Sequence, residues 1–468
     1  MPMRIKLLAG SKAENNMRIL LVNLPWESDG KRGVRAGSRW PFTAQPESNG
    51  SIHYIPFPFF LAYTAALLKK EFPLTRLIDA IAEGFSRKKV YADIQAYKPE
   101  LLLVETSTPS FENDIKIIHE LKKKLPNCRI ALCGPHAGFF ADRILNKFLF
   151  IDYIIIGEYE FTMLALAKRL DKGLRLDVVS GLAFRQNGVS VINKLREANP
   201  DLDVLPWPER ESLPMYKYND GFARMPVPNV QILSSRGCPF SCIFCLWPQT
   251  IYQNHQYRRR NPVDVADEMD FLVKRYGFKA VFFDDDIFNA DPGHVLGICR
   301  EIKKRKIKVP WAAMGRADLM DKRLLEELVS AGLFAIKYGV ESADEGILDF
   351  VRKNIDLEKT RKIISATKKC GIKVHLTFCM GLPGETITTI KKTAKFIKDT
   401  RPDSLQVSYA IPFPGTKLYE YLQSQNMEFS KKWSDYDGNR IPIIKNYKVS
   451  PEDLERIRVT LKRNFNIK

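Results

Sequence analysis

From residue 17 onward, short apolar runs alternate with helix-period segments, and this alternation occurs twice along the chain. Runs as uniformly apolar as Leu101-Leu102-Leu103-Val104 are what strands buried on both faces of a parallel sheet require. In the first set, strands are expected at 18–23, 77–79, 101–105, 129–133 and 153–156, with helices at 59–70, 87–97, 113–124 and 161–169. Five strands with intervening helices make a doubly wound, Rossmann-like α/β sheet. The second set begins after Pro228. Its strands are expected at 230–234, 280–284, 311–314, 334–338, 374–380 and 404–410. Helices are expected at 262–276, 292–305, 321–331, 357–369 and 388–398, with another after Thr416. Six such units make a partial (βα)6 barrel.

These runs divide the 468 residues into a disordered extension (1–16), a doubly wound domain (17–171), a linker (172–225), a barrel (226–425) and a C-terminal helical segment (426–468). Such a length exceeds one ordinary core. Within the linker, 182–184 and 189–192 read as a hairpin around Asn187-Gly188. Residues 199–218, with Pro206-Trp207-Pro208, read as an extended, surface-packed stretch. Leu454, Ile457 and Leu461 recur at helical spacing and predict a helix over 451–464 that packs on the barrel.

The most apolar stretch, 55–68, is shorter than a membrane span and contains Pro56 and Pro58. No secretory signal opens the chain. No transmembrane segment is therefore expected, and the expected location is cytoplasmic. Eight cysteines in a chain this long do not suggest a disulfide scaffold. Cys128, Cys133, Cys299, Cys370 and Cys379 are expected to be buried thiols in a reducing compartment. The net charge of +19 is largely lysine on expected helices, such as Lys122-Lys123-Lys124 and Lys303-Lys304-Arg305. Solvated faces account for it, and for Arg258-Arg259-Arg260. Attraction to nucleic acid, an anionic membrane surface or acidic substrates is the alternative.

In both architectures ligand sites lie at the carboxyl ends of the strands, and the unusual residues gather there. The first sheet offers the loop 25–49 with Arg35, Arg39 and Trp40, then Thr106-Ser107-Thr108, Gly134-Pro135-His136 and Gly157-Glu158-Tyr159-Glu160. In the barrel, Cys238, Cys242 and Cys245 stand at C-x3-C-x2-C spacing after the first strand. Thiolates favour zinc, copper(I) or iron–sulfur clusters. A four-iron cubane normally takes four cysteines, so three leave one iron open to a small molecule. A zinc knuckle recruiting His255 and a Cys242/Cys245 redox pair are the alternatives. The first has no common zinc spacing, and the second leaves Cys238 unexplained.

The later barrel strands are followed by Asp284-Asp285-Asp286, Arg316, Glu341-Ser342, Gly381-Leu382-Pro383-Gly384-Glu385 and Pro412-Phe413-Pro414-Gly415. An open-site iron chelates an amino group and a carboxylate, and a methionine-type ligand carries both. The aspartates and Glu341 suit a cationic sulfonium. Arg316 suits bidentate pairing with a ligand carboxylate. Phe244 offers a ring to an adenine, and Gly381 and Gly384 let backbone approach a ribose. Helix caps, turns and internal ion pairs are the structural alternatives for these residues.

The cysteine spacing, the Gly237-Cys238-Pro239 opening and the aromatic Phe244 before the last cysteine resemble the signature of the radical S-adenosylmethionine (radical SAM) enzymes. Phe-x-Asp-Asp-x-Phe (Phe283, Asp285, Asp286, Phe288), Gly-Val-Glu-Ser (339–342) and Gly-Leu-Pro-Gly-Glu-Thr (381–386) resemble the rim motifs of their cobalamin-dependent class. Residues 17–171 resemble that class's cobalamin-binding domain, chiefly through Gly-Pro-His and Ile-Gly-Glu-x-Glu. The resemblance implies a [4Fe-4S] cluster on Cys238, Cys242 and Cys245. It places Phe244, Asp285, Arg316, Glu341, Gly381 and Gly384 around S-adenosylmethionine, and Thr106, Gly134, His136, Gly157 and Glu158 around cobalamin. Asp79 is followed by Ala80-Ile81, without the Asp-x-His-x-x-Gly motif, so no histidine ligand to cobalt is expected from that position.

The activity so implied is reductive cleavage of S-adenosylmethionine to a 5′-deoxyadenosyl radical, for C-methylation of a small-molecule or lipid substrate. Flavodoxin or ferredoxin would donate the electron. Cyclisation, rearrangement or oxidation without methyl transfer is the alternative on the same architecture. Transfer RNA methylthiotransferases carry three further cluster cysteines, whereas this amino-terminal half holds only Cys128 and Cys133. Nucleic acid is accordingly not an expected partner.

Overall fold

The structure, a computed structural model, describes residues 16–28, 30–35, 41–44, 54–445 and 448–464. The expected extension, save Asn16, lies outside the described residues, as do Arg39 and Trp40.

The first alternation forms a sheet from β1 (Ile19–Asn23), β2 (Thr75–Asp79), β3 (Leu101–Glu105), β4 (Arg129–Cys133), β5 (Tyr153–Ile155), β6 (Leu182–Gln186) and β7 (Val189–Ile192). The order is β7-β6-β5-β4-β3-β1-β2. The first five strands are parallel, and the β6–β7 hairpin adds antiparallel to β5. The hairpin expected in the linker thus forms and lengthens this sheet. Its turn holds Asn187 and Gly188 at φ +52° and +83°, left-handed values that suit these two residue types. Strand order reverses between β1 and β3, which makes that gap the switch point where doubly wound sheets bind ligands.

The second alternation forms six parallel strands in sequence order: β8 (Asn229–Ile232), β9 (Ala280–Phe283), β10 (Trp311–Gly315), β11 (Leu333–Glu341), β12 (Lys373–Met380) and β13 (Ser404–Tyr409). Their helices start where side chains accept from orphan amides. Asp291, Asp321, Asp356 and Thr416 cap four of them, and Thr386 makes a capping box with Thr389. A short helix, Glu345–Phe350, is too brief to leave a period in the sequence. The free flank of β13 is covered where the Tyr409 amide donates to the Gly438 carbonyl at 2.8 Å. The C-terminal helix Pro451–Asn464 buries Leu454 and Leu461.

One face of the first sheet packs on its own helices through Leu20, Val22, Leu102, Val104, Ile130 and Leu132. The other face, with Ile19, Leu21, Leu101 and Leu103, runs into a single apolar cluster with Phe60, Trp247, Val230 and the barrel core. The two halves therefore share one core.

Three expectations are corrected by burial. Residues 199–218 are wedged between the halves rather than laid on the surface. Arg210 pairs with Glu268 at 3.0 Å, and the Tyr218 hydroxyl donates to Asp79 at 3.0 Å. Of the three consecutive arginines, only Arg259 is exposed. Arg258 and Arg260 are buried because Glu158 and Glu268 meet them inside. Cys370 is exposed, while Cys128, Cys133, Cys299 and Cys379 are buried and no cysteine forms a disulfide. Among the described residues no helix is long and apolar enough to cross a membrane.

Candidate active site

The cysteine loop follows β8 and is braced from beneath by the aspartates after β9. Asp285 accepts from the Ser234 amide at 2.7 Å and the Ser235 hydroxyl at 2.6 Å. Asp286 accepts from the Gly237 amide at 3.0 Å and the Tyr252 hydroxyl at 2.7 Å. Asp285 is fully buried, and burial raises its pKa against these donors. Its contacts hold the loop in place. Gly237, at φ +88°, lies so close to Gln256 that an added Cβ would stand 2.0 Å from that carbonyl oxygen. Above it, the Gln249 side chain donates to the carbonyls of Ile243 and Cys245 at 3.1 and 2.6 Å. Neither Gln249 nor Tyr252 gave a sequence signal.

The three thiols are half-buried. Burial pushes the Cys238 thiol up to about 11 and raises that of Cys242, so metal must displace their protons. Among the described residues no group of three or more His, Cys, Asp or Glu side chains is arranged to hold a single ion, and His255 is exposed. A cubane spreads its thiolates over separate irons, further apart than the ligands of one ion. Three thiols in one loop, with His255 exposed, are a donor set that fits a cubane with one open iron.

Around the loop, Glu341 ends β11 at φ +72° and meets the Lys353 ammonium at 3.2 Å. Burial works against that ammonium, but Glu341 and the nearby Cys242 sulfur raise its pKa. Arg316 pairs with Asp318, through Nε at 3.0 Å and Nη2 at 2.8 Å. It also lies 3.7 Å from the Phe240 ring centroid. Phe244 is buried in the shared core. Gly381 and Gly384 have φ of +80° and +87°. An added Cβ at Gly381 would meet Leu454 at 3.4 Å, so the C-terminal helix covers that turn.

Glu385 accepts from the Gly381 and Leu382 amides at 2.6 and 3.2 Å, and burial pushes its carboxyl up to about 7. A raised acid contributes stability that is complete below about pH 4.5 and is lost as pH rises through about 7. Glu385→Gln keeps the acceptor oxygen and removes the titration. Between pH 6 and 8 the stability gap should move in the variant's favour by about 1.4 kcal/mol, read from urea unfolding at each pH.

The first sheet's candidates divide into two groups. Thr106 lines a narrow cleft at the switch point, together with Arg35, Glu105, Ser107, Thr108 and Pro135. The opposite wall is Leu246, Trp247 and Phe413 of the barrel, with Phe60 and Tyr159 between. Gly134, at φ +104°, has the Thr106 carbonyl 2.1 Å from where a Cβ would stand. His136 is buried beside the cleft wall, its Nδ1 3.3 Å from the Thr108 hydroxyl and its ring against Phe111 and Trp433. Burial pushes its pKa down to about 3, so the imidazole is neutral. Among the described residues the Glu105 Oε2 and the Arg35 Nε are buried without hydrogen-bond partners, while the Arg35 Nη1 is ion-paired with Asp114 at 3.4 Å. Burial pushes Glu105 up to about 7. Unpaired donors and acceptors around a cleft fit a ligand rimmed with amides, as a corrin is.

Gly157 and Glu158 face the barrel instead. A Cβ on Gly157 would lie 3.3 Å from the Ile251 carbonyl. Glu158 accepts from Arg236 at 2.9 Å and from both Nη atoms of Arg258 at 2.9 Å. Glu160 accepts from Arg236 at 2.7 Å. Arg236 lies two residues before Cys238, so this buried network ties the first sheet to the cysteine loop. Arg236 was not singled out from the sequence, and Arg258 was read there only as part of a solvated face.

A profile of the radical SAM superfamily matches residues 232–397, and one of the B12 binding domain matches residues 49–167. An uncharacterized methyltransferase of Pyrococcus horikoshii is 29% identical over 90% of this chain and 86% of its own length. The anaerobic magnesium-protoporphyrin IX monomethyl ester cyclase of Rubrivivax gelatinosus is 28% identical over 87% of this chain and 70% of its own. The fold is similar to that of TsrM, a radical S-adenosylmethionine methyltransferase from Kitasatospora setae solved with cobalamin and a [4Fe-4S] cluster bound. The TM-score is 0.70 at 17% identity, covering 94% of this chain and 85% of that one. Cluster, S-adenosylmethionine and cobalamin are thus the cofactors of the domains this chain carries. The two profiles, matched in order along one continuous fold, show that the chain carries a B12 binding domain followed by a radical SAM domain.

Proposed function

We propose that this enzyme methylates carbon on a polar small molecule. The observation that carries this reading is the shared cleft, whose barrel wall, Leu246 and Trp247, directly follows Cys245. When bound, the cluster supplies the electron that cleaves S-adenosylmethionine to a 5′-deoxyadenosyl radical, and cobalamin supplies a transferable methyl group. Cys238, Cys242 and Cys245 would hold the cluster. Thr106, Gly134 and the polar atoms of Glu105 and Arg35 would border the corrin. Asp285, Asp286 and Gln249 keep the thiols in place, and the apolar walls of the cleft exclude water from a radical.

A polar substrate is supported by the barrel lumen. Lys337, Thr377, Gln406 and Ser408 are half-buried, while Tyr338, Leu376, Leu405 and Val407 beside them are buried. Alternation along a strand turns the first set toward the lumen and the second toward the helices. In support, Lys337 lies 4.7 and 5.3 Å from the rings of Phe222 and Phe282 and pairs with Asp220 at 3.4 Å.

The test is anaerobic reconstitution with iron, sulfide and hydroxocobalamin, followed by turnover with S-adenosylmethionine and reductant. A C-methyltransferase forms both S-adenosylhomocysteine and 5′-deoxyadenosine. Formation of 5′-deoxyadenosine alone would favour the second reading, radical chemistry without methyl transfer, which the relative named as a cyclase supports.

A further inference from the structure

We propose that the end of the barrel opposite the cysteine loop docks on an anionic lipid surface. Six parallel strands in sequence order put every residue that directly precedes a strand at one end. Phe222 and Met225 stopper that end, packed on Ala280, Ala312 and Ala335. Exposed cations gather around the stopper. Arg224 precedes β8, Arg275 and Lys279 precede β9, and Lys306 and Lys308 precede β10. Lys369 precedes β12, and Lys398 and Arg401 precede β13. Among the described residues none of these eight side chains enters an ion pair. The exposed acid Asp399 at this end is already held by Arg361 and Lys395, at 3.2 and 2.8 Å.

Basic residues in a last helical turn complement the helix dipole, and that accounts for Arg275, Lys369 and Lys398. It does not account for Arg224, Lys279 and Lys308, which lie outside the α-helices. Lys306 and Arg401 each hold the position after a helix, at φ +56° and +45°, and Arg224 has φ +57°. Glycine adopts such values more readily, and Gly277 does so after the helix Pro262–Tyr276. Three cations thus stand where the backbone favours glycine. The charge is also contoured. Between the helices Leu357–Lys369 and Ile387–Thr400, a groove is lined by Arg361, Lys368, Lys369 and Arg401, with Asp399 as its one carboxylate. Such a lining suits a lipid phosphate.

Exposed apolar groups stand among these cations. Val227 is 65% exposed and Tyr216 62%. The Lys279 amide donates to the Pro228 carbonyl at 2.8 Å, and the Tyr216 ring lies 5.5 Å from that of Phe278. Apolar tips in a field of cations are the pattern of a protein resting in the interface of an anionic bilayer. A nucleic-acid duplex offers phosphates but no apolar layer for Val227. An acidic electron donor is needed at the other end, because β11 is nine residues long and puts about 30 Å, at ~3.3 Å per residue, between this face and the cysteine-loop rim. With this end on lipid, the cysteine loop and the shared cleft point away from the bilayer. The inference rests on the fold and holds for any reaction at the cysteine loop.

The test sediments the full chain, anaerobically reconstituted, with vesicles of phosphatidylcholine alone or mixed with phosphatidylglycerol. Salt is held at about 0.15 M, where a Debye length of about 8 Å screens charges that do not face the lipid. A triple variant, Lys306→Gln, Lys369→Gln and Arg401→Gln, is compared with a control of equal charge, Lys88→Gln, Lys116→Gln and Lys124→Gln. The control lysines are exposed on the helices Arg87–Tyr97 and Phe111–Lys124 of the first sheet's outer face. Iron content and far-UV circular dichroism report integrity. The wild type should bind the mixed vesicles and not the neutral ones. The triple variant should bind about 10- to 100-fold more weakly, as the loss of three surface cations implies, and the control should stay within about twofold. Val227→Glu, which leaves every cation in place, should weaken binding about fivefold or more. Binding no stronger to mixed than to neutral vesicles would overturn the proposal, as would affinity unchanged in both the triple variant and Val227→Glu. Equal losses in the triple variant and the control would reduce the effect to bulk charge and overturn it too. So would tighter binding to a DNA or RNA duplex than to the mixed vesicles, which would make this a nucleic-acid face.

Discussion

Cys242→Ala should abolish 5′-deoxyadenosine release and strip the protein of its cluster iron while leaving the chain folded. Two thiolates do not hold a four-iron cubane in a site built for three. The fold has little to lose, because the hydrogen bond from the Cys242 thiol to the Arg352 carbonyl is 3.7 Å long. Removing it should cost no more than about 1 kcal/mol in urea unfolding. Iron counting, product release and the unfolding curve on one preparation check all three statements. Full iron in the variant would remove the three-thiolate site altogether.

The second large effect is expected at Arg236. Its substitution by methionine leaves Glu160 buried with no cation, and Glu158 with only Arg258. Removing one member of a buried ion pair costs about 3–5 kcal/mol. The two carboxylates already differ in the native protein. Burial raises the Glu160 pKa despite Arg236, whereas Arg236 and Arg258 together outweigh burial and lower that of Glu158. In the variant Glu160 should hold its proton to higher pH still. The destabilisation should therefore deepen as pH rises, since the native state retains a proton that the unfolded chain gives up. Unfolding at pH 6 and 8 checks the sign. A loss below about 1 kcal/mol at both would mean the network contributes no more than an exposed pair does.

The alternation of strands and helices was legible because β1, β3, β4, β9 and β10 carry apolar runs and β8, β12 and β13 alternate apolar with polar residues, both local properties. The cysteine signature and the carboxyl-end loops were legible for the same reason. What escaped was set by contacts between distant segments. Arg258-Arg259-Arg260 reads as a charged surface until Glu158, a hundred residues earlier in chain terms, is folded against it. Asp285 reads as a ligand carboxylate, yet its donors are Ser234 and Ser235. Lys353 follows a helix too short to show a period, and only the fold brings it beside Glu341 and the cysteine loop. Residues 199–218 look like surface linker because prolines and aromatics are ambiguous until their partners are known.

The C-terminal segment returns to the first half. Trp433 packs on His136 and Phe140, Asp437 accepts from the Thr43 amide and hydroxyl at 2.7 Å, and Arg440 donates to the Ser28 hydroxyl at 2.9 Å. These partners are synthesised first and last. During translation the doubly wound sheet emerges early but lacks these contacts until nearly the whole sequence has left the ribosome. A prematurely terminated product would therefore carry the first sheet with Ser28, Thr43 and His136 stripped of these late partners.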